Sequence, residues 1–186
     1  MKPIVVLLGA SALLVATLFT SPTHATTITF EVLSLGGTTY RSVYAITNDG
    51  SLGPGIAVEL FDILFDPALY LESSLTIVTP APLNTEWDQL VLGSAPGVPA
   101  TYDALALAGG IPEGGTVSGF AVEYEWLGLG TPGAQAFEIY DPGTFALLER
   151  GLTTEVTSVP EPAAFWLLAF GLVGLMGLTA ARAARA

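Results

Sequence analysis

Between residues 26 and 158 no stretch runs far before it meets a turn-forming or helix-breaking cluster, and this constrains the fold more than any other feature. Asn48-Asp49-Gly50-Ser51 supplies residues that tolerate positive φ. Gly53-Pro54-Gly55, Pro80-Ala81-Pro82, Pro96-Gly97-Val98-Pro99, Gly109-Gly110, Gly114-Gly115, Gly130-Thr131-Pro132-Gly133 and Asp141-Pro142-Gly143 interrupt the remaining long runs. A substantial helix has no room there. What lies between the breaks alternates. Ile28, Phe30 and Val32 alternate with Thr27, Thr29 and Glu31, and Phe120, Val122, Tyr124 and Trp126 alternate with Ala121, Glu123, Glu125 and Leu127. A period of two puts one set on an apolar face and the other toward solvent, the pattern of a half-buried strand. Further strands are expected at Tyr40 to Thr47, Ile56 to Phe65, Leu75 to Thr79, Trp87 to Leu92, Tyr102 to Leu107, Gln135 to Tyr140 and Phe145 to Thr153. In the second of these the apolar phase slips from Ile56, Val58 and Leu60 to Phe61, Ile63 and Phe65, which predicts a bulge or a strand buried on both faces. The expected fold class is all-β, an antiparallel β-sandwich of eight or nine strands in two sheets. Only Thr153 to Val159 reads as a linker.

The two ends are of another kind. Lys2 precedes an apolar segment from Ile4 to Phe19 and then the polar Thr20-Ser21-Pro22-Thr23-His24-Ala25, the three regions of a secretory signal peptide. Thr23 and Ala25 are the small residues a signal peptidase reads, so cleavage is expected between Ala25 and Thr26. At the other end, Val159-Pro160-Glu161-Pro162 leads into an uncharged run of 19 residues, 163–181, followed by Arg182 and Arg185. That length approaches the roughly 20 residues a helix needs to cross a bilayer. Pro160 and Pro162 lack an N–H and bar a helix from extending upstream, so the transmembrane helix is expected to start at Ala163. The terminal arginines favour the cytoplasmic side, which leaves the rest of the chain outside. The organisation is therefore a signal peptide at 1–25, an ectodomain at 26–158 and a C-terminal segment at 159–186.

Composition limits the chemistry of the middle. Of the chain's 17 Asp and Glu residues all but Glu161 lie between Thr26 and Val159, where only Arg41 and Arg150 oppose them, so sixteen negative charges against two positive leave minus 14. A surface of that sign repels nucleic acid, whose phosphates need clustered Lys and Arg. The chain has no Cys, and its only His and only Lys fall before residue 26. An exported domain without disulfides is held by an ordinary core, which about 130 residues suffice to build.

The C-terminal segment resembles the PEP-CTERM sorting signal of exported proteins from Gram-negative bacteria that make extracellular polysaccharide. The resemblance rests on the motif Pro160, Glu161 and Pro162, the apolar run that follows at once, and the basic tail of Arg182 and Arg185. It implies recognition and processing by an exosortase, a membrane-embedded cysteine transpeptidase, with signal peptidase acting at the other end. Extended backbone held by two prolines, with Glu161 as an anionic handle, suits a scissile region. The segments Tyr44 to Gly53 and Gly119 to Trp126 are similar to ectodomains that carry this tag, which implies an exported β domain and no particular activity.

Without His, Cys or Lys, the ectodomain lacks the base, ligand or nucleophile of a serine triad, a zinc site or a Schiff base. Carboxylate chemistry remains. Glu123 and Glu125 share one face of a strand, and a glycosidase uses two carboxylates, but such residues also serve as charges that keep a strand soluble. Trp87, Trp126, Tyr102 and Tyr124 are candidates for a glycan platform; Trp126 and Tyr124 share the phase of Phe120 and Val122, which favours the core and leaves Trp87 as the possible glycan contact. Asn48, Asp49, Asp62, Asp66, Asp103 and Asp141 offer oxygen ligands to calcium, yet no segment has the spaced-aspartate pattern of an EF-hand. No cofactor is otherwise expected. These readings describe an exported, non-enzymatic cell-surface or extracellular-matrix protein associated with exopolysaccharide and biofilm, held transiently in the inner membrane before processing. The alternative is a carbohydrate-binding or calcium-assisted adhesive module.

Overall fold

The computed structural model describes residues 26–156. The expected signal peptide at 1–25 and the whole sorting segment at 159–186, with its transmembrane helix, lie outside the described residues. Among those described, no helix is long and apolar enough to cross a membrane.

The described chain forms ten strands: β1 Thr27–Gly36, β2 Thr39–Thr47, β3 Leu60–Phe65, β4 Thr76–Ile77, β5 Trp87–Leu92, β6 Ala100–Ala106, β7 Thr116–Glu125, β8 Ala136–Tyr140, β9 Leu147–Leu152 and β10 Thr154–Glu155. One turn of helix, α1 Leu83–Glu86, and a 3₁₀ turn at Glu72–Ser74 complete the elements. The strands make two five-stranded sheets, ordered β10-β1-β2-β7-β4 and β5-β6-β3-β8-β9. Both face a common core, in which Phe61 of β3 meets Phe120 of β7 at 5.0 Å between ring centroids, Phe65 meets Tyr124 at 5.8 Å, and Tyr44 meets Tyr102 at 6.5 Å. Each ring so buried contributes on the order of 2–3 kcal/mol through the surface it removes from water.

The alternation predicted for β1 and β7 sets their inward faces, and β2 follows the same period: Ile28, Phe30, Tyr44, Ile46, Phe120, Val122 and Tyr124 are each at most 1% exposed. Val117 also packs against this core although its position in the chain has the opposite phase. The register between β2 and β7 slips by one, with Tyr44 opposite Phe120 and Ala45 opposite Ser118, and Gly119 is the extra residue at φ 110°. That left-handed backbone is open to glycine at little cost, and the bulge turns both Val117 and Phe120 inward.

Five expectations change. There are ten strands rather than eight or nine, and one pairing is parallel: Thr29 and Phe30 of β1 lie beside Thr154 and Glu155 of β10. The segment read as a linker from Thr153 therefore begins as structure, with Thr153 only 2% exposed and the Val156 amide donating to the Phe30 carbonyl. The strand expected from Ile56 starts at Leu60, because Val58 makes only an isolated bridge to Ile111. The phase slip marks that start, and β3 fills the centre of its sheet with Leu60 and Phe61 both buried. The strand expected at Leu75 to Thr79 narrows to the two residues of β4.

Candidate functional site

Trp87, the expected glycan contact, opens β5 directly after α1 and is 5% exposed. Its ring packs on Phe61 at 5.6 Å and, edge to face, on Phe120 at 5.0 Å. No face remains for a sugar to stack on, so the glycan role gives way to a core role. The helical turn explains it: α1 buries Leu83 and delivers the next residue inward. Tyr124 and Trp126 are at most 8% exposed, as their phase predicts, and Tyr102 is fully buried as well. The Tyr124 hydroxyl shares a 2.7 Å hydrogen bond with Ser42 inside the core.

Glu123 and Glu125 do share the outer face of β7, but they are not equivalent. Glu123 stands opposite Arg41 of β2 and accepts from its Nε at 3.0 Å, while Glu125 is exposed and opposes Thr39. Both guanidinium contacts fall on the same Glu123 oxygen, Oε1.

The six oxygen-bearing residues scatter. Asn48 is fully buried and spent on the backbone: its Nδ2 donates to the Ile56 and Ile111 carbonyls and its Oδ1 accepts from Gly50. Asp49 accepts from the Ser51 amide, Asp66 from that of Ala68, and Asp141 from the amides of Gly143 and Thr144 and the Thr144 hydroxyl. These are turn-closing bonds. Only Asp62 and Asp103 meet, on β3 and β6, with Glu138 of β8 as the next partner across the sheet. Among the described residues, no group of three or more such side chains is arranged to hold a metal ion.

A concavity lies elsewhere among the described residues. A cleft of about 670 Å³ opens at one end of the molecule, between the segment after β3, the loop joining β5 to β6 and the connection from β7 to β8. Its floor is aromatic: Tyr70 meets Phe65, Tyr124 and Trp126, each at 4.9 Å and edge to face. Leu64, Leu69, Val98 and Pro99 give it apolar walls, and Asp66, Tyr70 and Gln135 bring polar groups to it. Gln135 is 3% exposed; its amide donates to the Tyr70 hydroxyl at 3.0 Å and its carbonyl accepts from Thr153. Burial pushes the Tyr70 hydroxyl up to about 12, so it stays a neutral hydrogen-bonding group. Apolar walls with a few oriented polar groups suit binding. Sequence reasoning missed the cleft because its loops read only as turns; the paired Pro-Gly clusters at 96–99 and 130–133 were the available signal.

Residues 158–185 match the PEP-CTERM protein-sorting motif. That motif supports an exported protein sorted by an exosortase, membrane-anchored and then processed. No curated protein sequence matches this chain. Among solved structures, an exo-β-N-acetylglucosaminidase from Vibrio harveyi in complex with N-acetylglucosamine is similar at 12% identity and TM-score 0.34, over 70% of this chain and 18% of that one. A cohesin–dockerin complex from Clostridium thermocellum is similar at 11% identity and TM-score 0.33, over 70% of this chain and 99% of that one. This chain thus spans less than a fifth of the glycosidase. Likenesses this faint carry no argument about its fold or activity.

Proposed function

We propose that this chain, with its PEP-CTERM motif, is an exported, non-enzymatic β-sandwich protein of the cell surface or extracellular matrix of a Gram-negative bacterium. It passes through the inner membrane, is cut at both ends and resides with extracellular polysaccharide. The sorting motif at 158–185 carries this reading. The non-enzymatic part is supported by the pairing of Glu123 with Arg41.

Intact mass of the cell-associated and shed protein tests it. The expected product starts at Thr26 and lacks the segment beyond the Pro-Glu-Pro region in cells with an active exosortase. Protein that retains Arg185 in such cells would sink the sorting reading. Release of reducing ends from the host polysaccharide by the purified protein would sink the non-enzymatic one.

The aromatic-floored cleft favours a second reading, a carbohydrate-binding or calcium-assisted adhesive module. Titration of the exported protein with the host polysaccharide, with and without calcium, separates the two. Binding that is weakened at least tenfold by Val98→Asp at the cleft supports the module. Heat-free titrations under both conditions support the structural reading.

A further inference from the structure

Thr26 is the first described residue, yet it is 3% exposed, and its main-chain nitrogen is held by two side chains remote in sequence. The nitrogen lies 2.9 Å from Ser51 Oγ, in the turn after β2, and 3.3 Å from Glu149 Oε2, on β9. The Ser51 hydroxyl donates to the same Glu149 oxygen at 2.8 Å, and Thr26 Oγ1 is 3.2 Å from Ser51 Oγ. The cluster ties the start of β1, in one sheet, to the edge strand β9 of the other, across 123 residues. As a peptide amide, Thr26 has one hydrogen to divide between two acceptors and no charge to offer the carboxylate.

We propose that this cluster is a seat for the α-ammonium group of a mature N-terminus at Thr26. The inference rests on the reading that a leader is removed after Ala25. Hydrolysis of the Ala25–Thr26 bond by signal peptidase consumes one water. Its oxygen goes to the Ala25 carbonyl to make a carboxylate, and the nitrogen leaves with three hydrogens and a positive charge at neutral pH. Those hydrogens satisfy Ser51 Oγ and Glu149 Oε2 together, and the charge sits beside the Glu149 carboxylate in a charge-assisted bond. In a domain with sixteen carboxylates and two arginines, one of them already held by Glu123, this amine is one of few cations. The geometry also orders events. A peptide bond next to a residue this buried is closed to a protease, so the cut precedes closure of this end of the molecule, and folding then clasps the new terminus.

The composition provides a clean readout: Lys2 is the chain's only lysine, so after cleavage at Ala25 the α-amine is the only amine left. The protein is isolated after export from its own cells, its N-terminus is read by mass, and acetylation by an amine-reactive ester is followed by mass in buffer and in urea. The expected results are an N-terminus at Thr26, labelling at least tenfold slower in buffer than in urea, and native labelling several-fold faster in Glu149→Gln. Ser51→Ala, at an exposed turn, is the second variant should Glu149→Gln fail to accumulate, and it is expected to act in the same direction. An N-terminus elsewhere overturns both the leader reading and the seat. An N-terminus at Thr26 that labels as fast in buffer as in urea, or whose rate neither variant moves, overturns the seat alone and leaves export intact.

Discussion

Asp62 of β3 stands directly opposite Asp103 of the adjacent strand β6, with Glu138 of β8 opposite it on the other side. Like charges at a cross-strand position repel, and the buried Oδ1 of Asp62 finds no donor, so a proton held by Asp62 relieves both problems. Burial first, then Asp103 and the charge of Glu138, raise Asp62 from 3.8 to about 7. Asp103 is also raised, by burial first.

The pH dependence follows. Between about pH 4 and 7 the folded state holds a proton that the unfolded chain has released, so stability falls as pH rises through that window and levels off above 7. For a partly exposed pair the effect is on the order of 1–2 kcal/mol after solvent screening. Urea midpoints at pH 5 and pH 8 measure it, with the higher midpoint expected at pH 5. Asp62→Asn keeps a donor at every pH and is expected to reduce the difference; an unchanged difference in that variant would remove Asp62 as its cause.

Replacement of Trp87 by Ala is expected to act on stability rather than on recognition. It empties a space between Phe61 and Phe120 and costs about 3–5 kcal/mol, a large part of the stability of a domain this size. Trp87→Phe refills much of that space and is expected to restore most of the thermal midpoint. If polysaccharide mobility shifts on native gels are seen for the parent and vanish in Trp87→Phe while the midpoint holds, Trp87 touches glycan after all.

Arg41 and Glu123 pair across β2 and β7 with side chains 37% and 27% exposed, so their contribution is modest, about 0.5–1 kcal/mol. Glu123→Gln is expected to lower the thermal midpoint by a few degrees at low salt and by less at high salt. A double replacement with Arg41→Gln is expected to cost less than the sum of the two singles, since each single leaves one charge without its partner. A midpoint insensitive to all three replacements would mean that the pair contributes nothing in solution.

Much of the fold was legible because its information is local. The alternation from Ile28 and from Phe120 named the inward faces of β1 and β7, and the turn clusters bounded most strands to within a few residues. What escaped depends on register and distance. β10 is two residues long and pairs in parallel, so it has no period to read. Trp87 sits between a helical turn and Asp88, where neither period assigns it a face. Asp62, Asp103 and Glu138 look like three isolated surface charges until β3 is placed between β6 and β8. The Thr26, Ser51 and Glu149 cluster joins three segments that no spacing rule connects.

The end of the fold bears on the sorting step. β10 pairs with β1, the Val156 amide bonds to the Phe30 carbonyl, and only Thr157, Ser158 and Val159 separate that bond from Pro160. Three residues span at most about 10 Å, so a membrane-embedded processing enzyme has to reach its substrate close against the folded domain. Deletion of these three residues is therefore expected to raise the fraction of protein that retains Arg185, as measured by intact mass of the membrane fraction. A six-residue Gly-Ser insertion after Val156 leaves every described contact in place and is expected to keep or increase the processed fraction without moving the thermal midpoint. If the deletion is processed as completely as the parent, the short spacing imposes no constraint, and either β10 peels from β1 before cleavage or the enzyme cuts on the membrane side of the prolines.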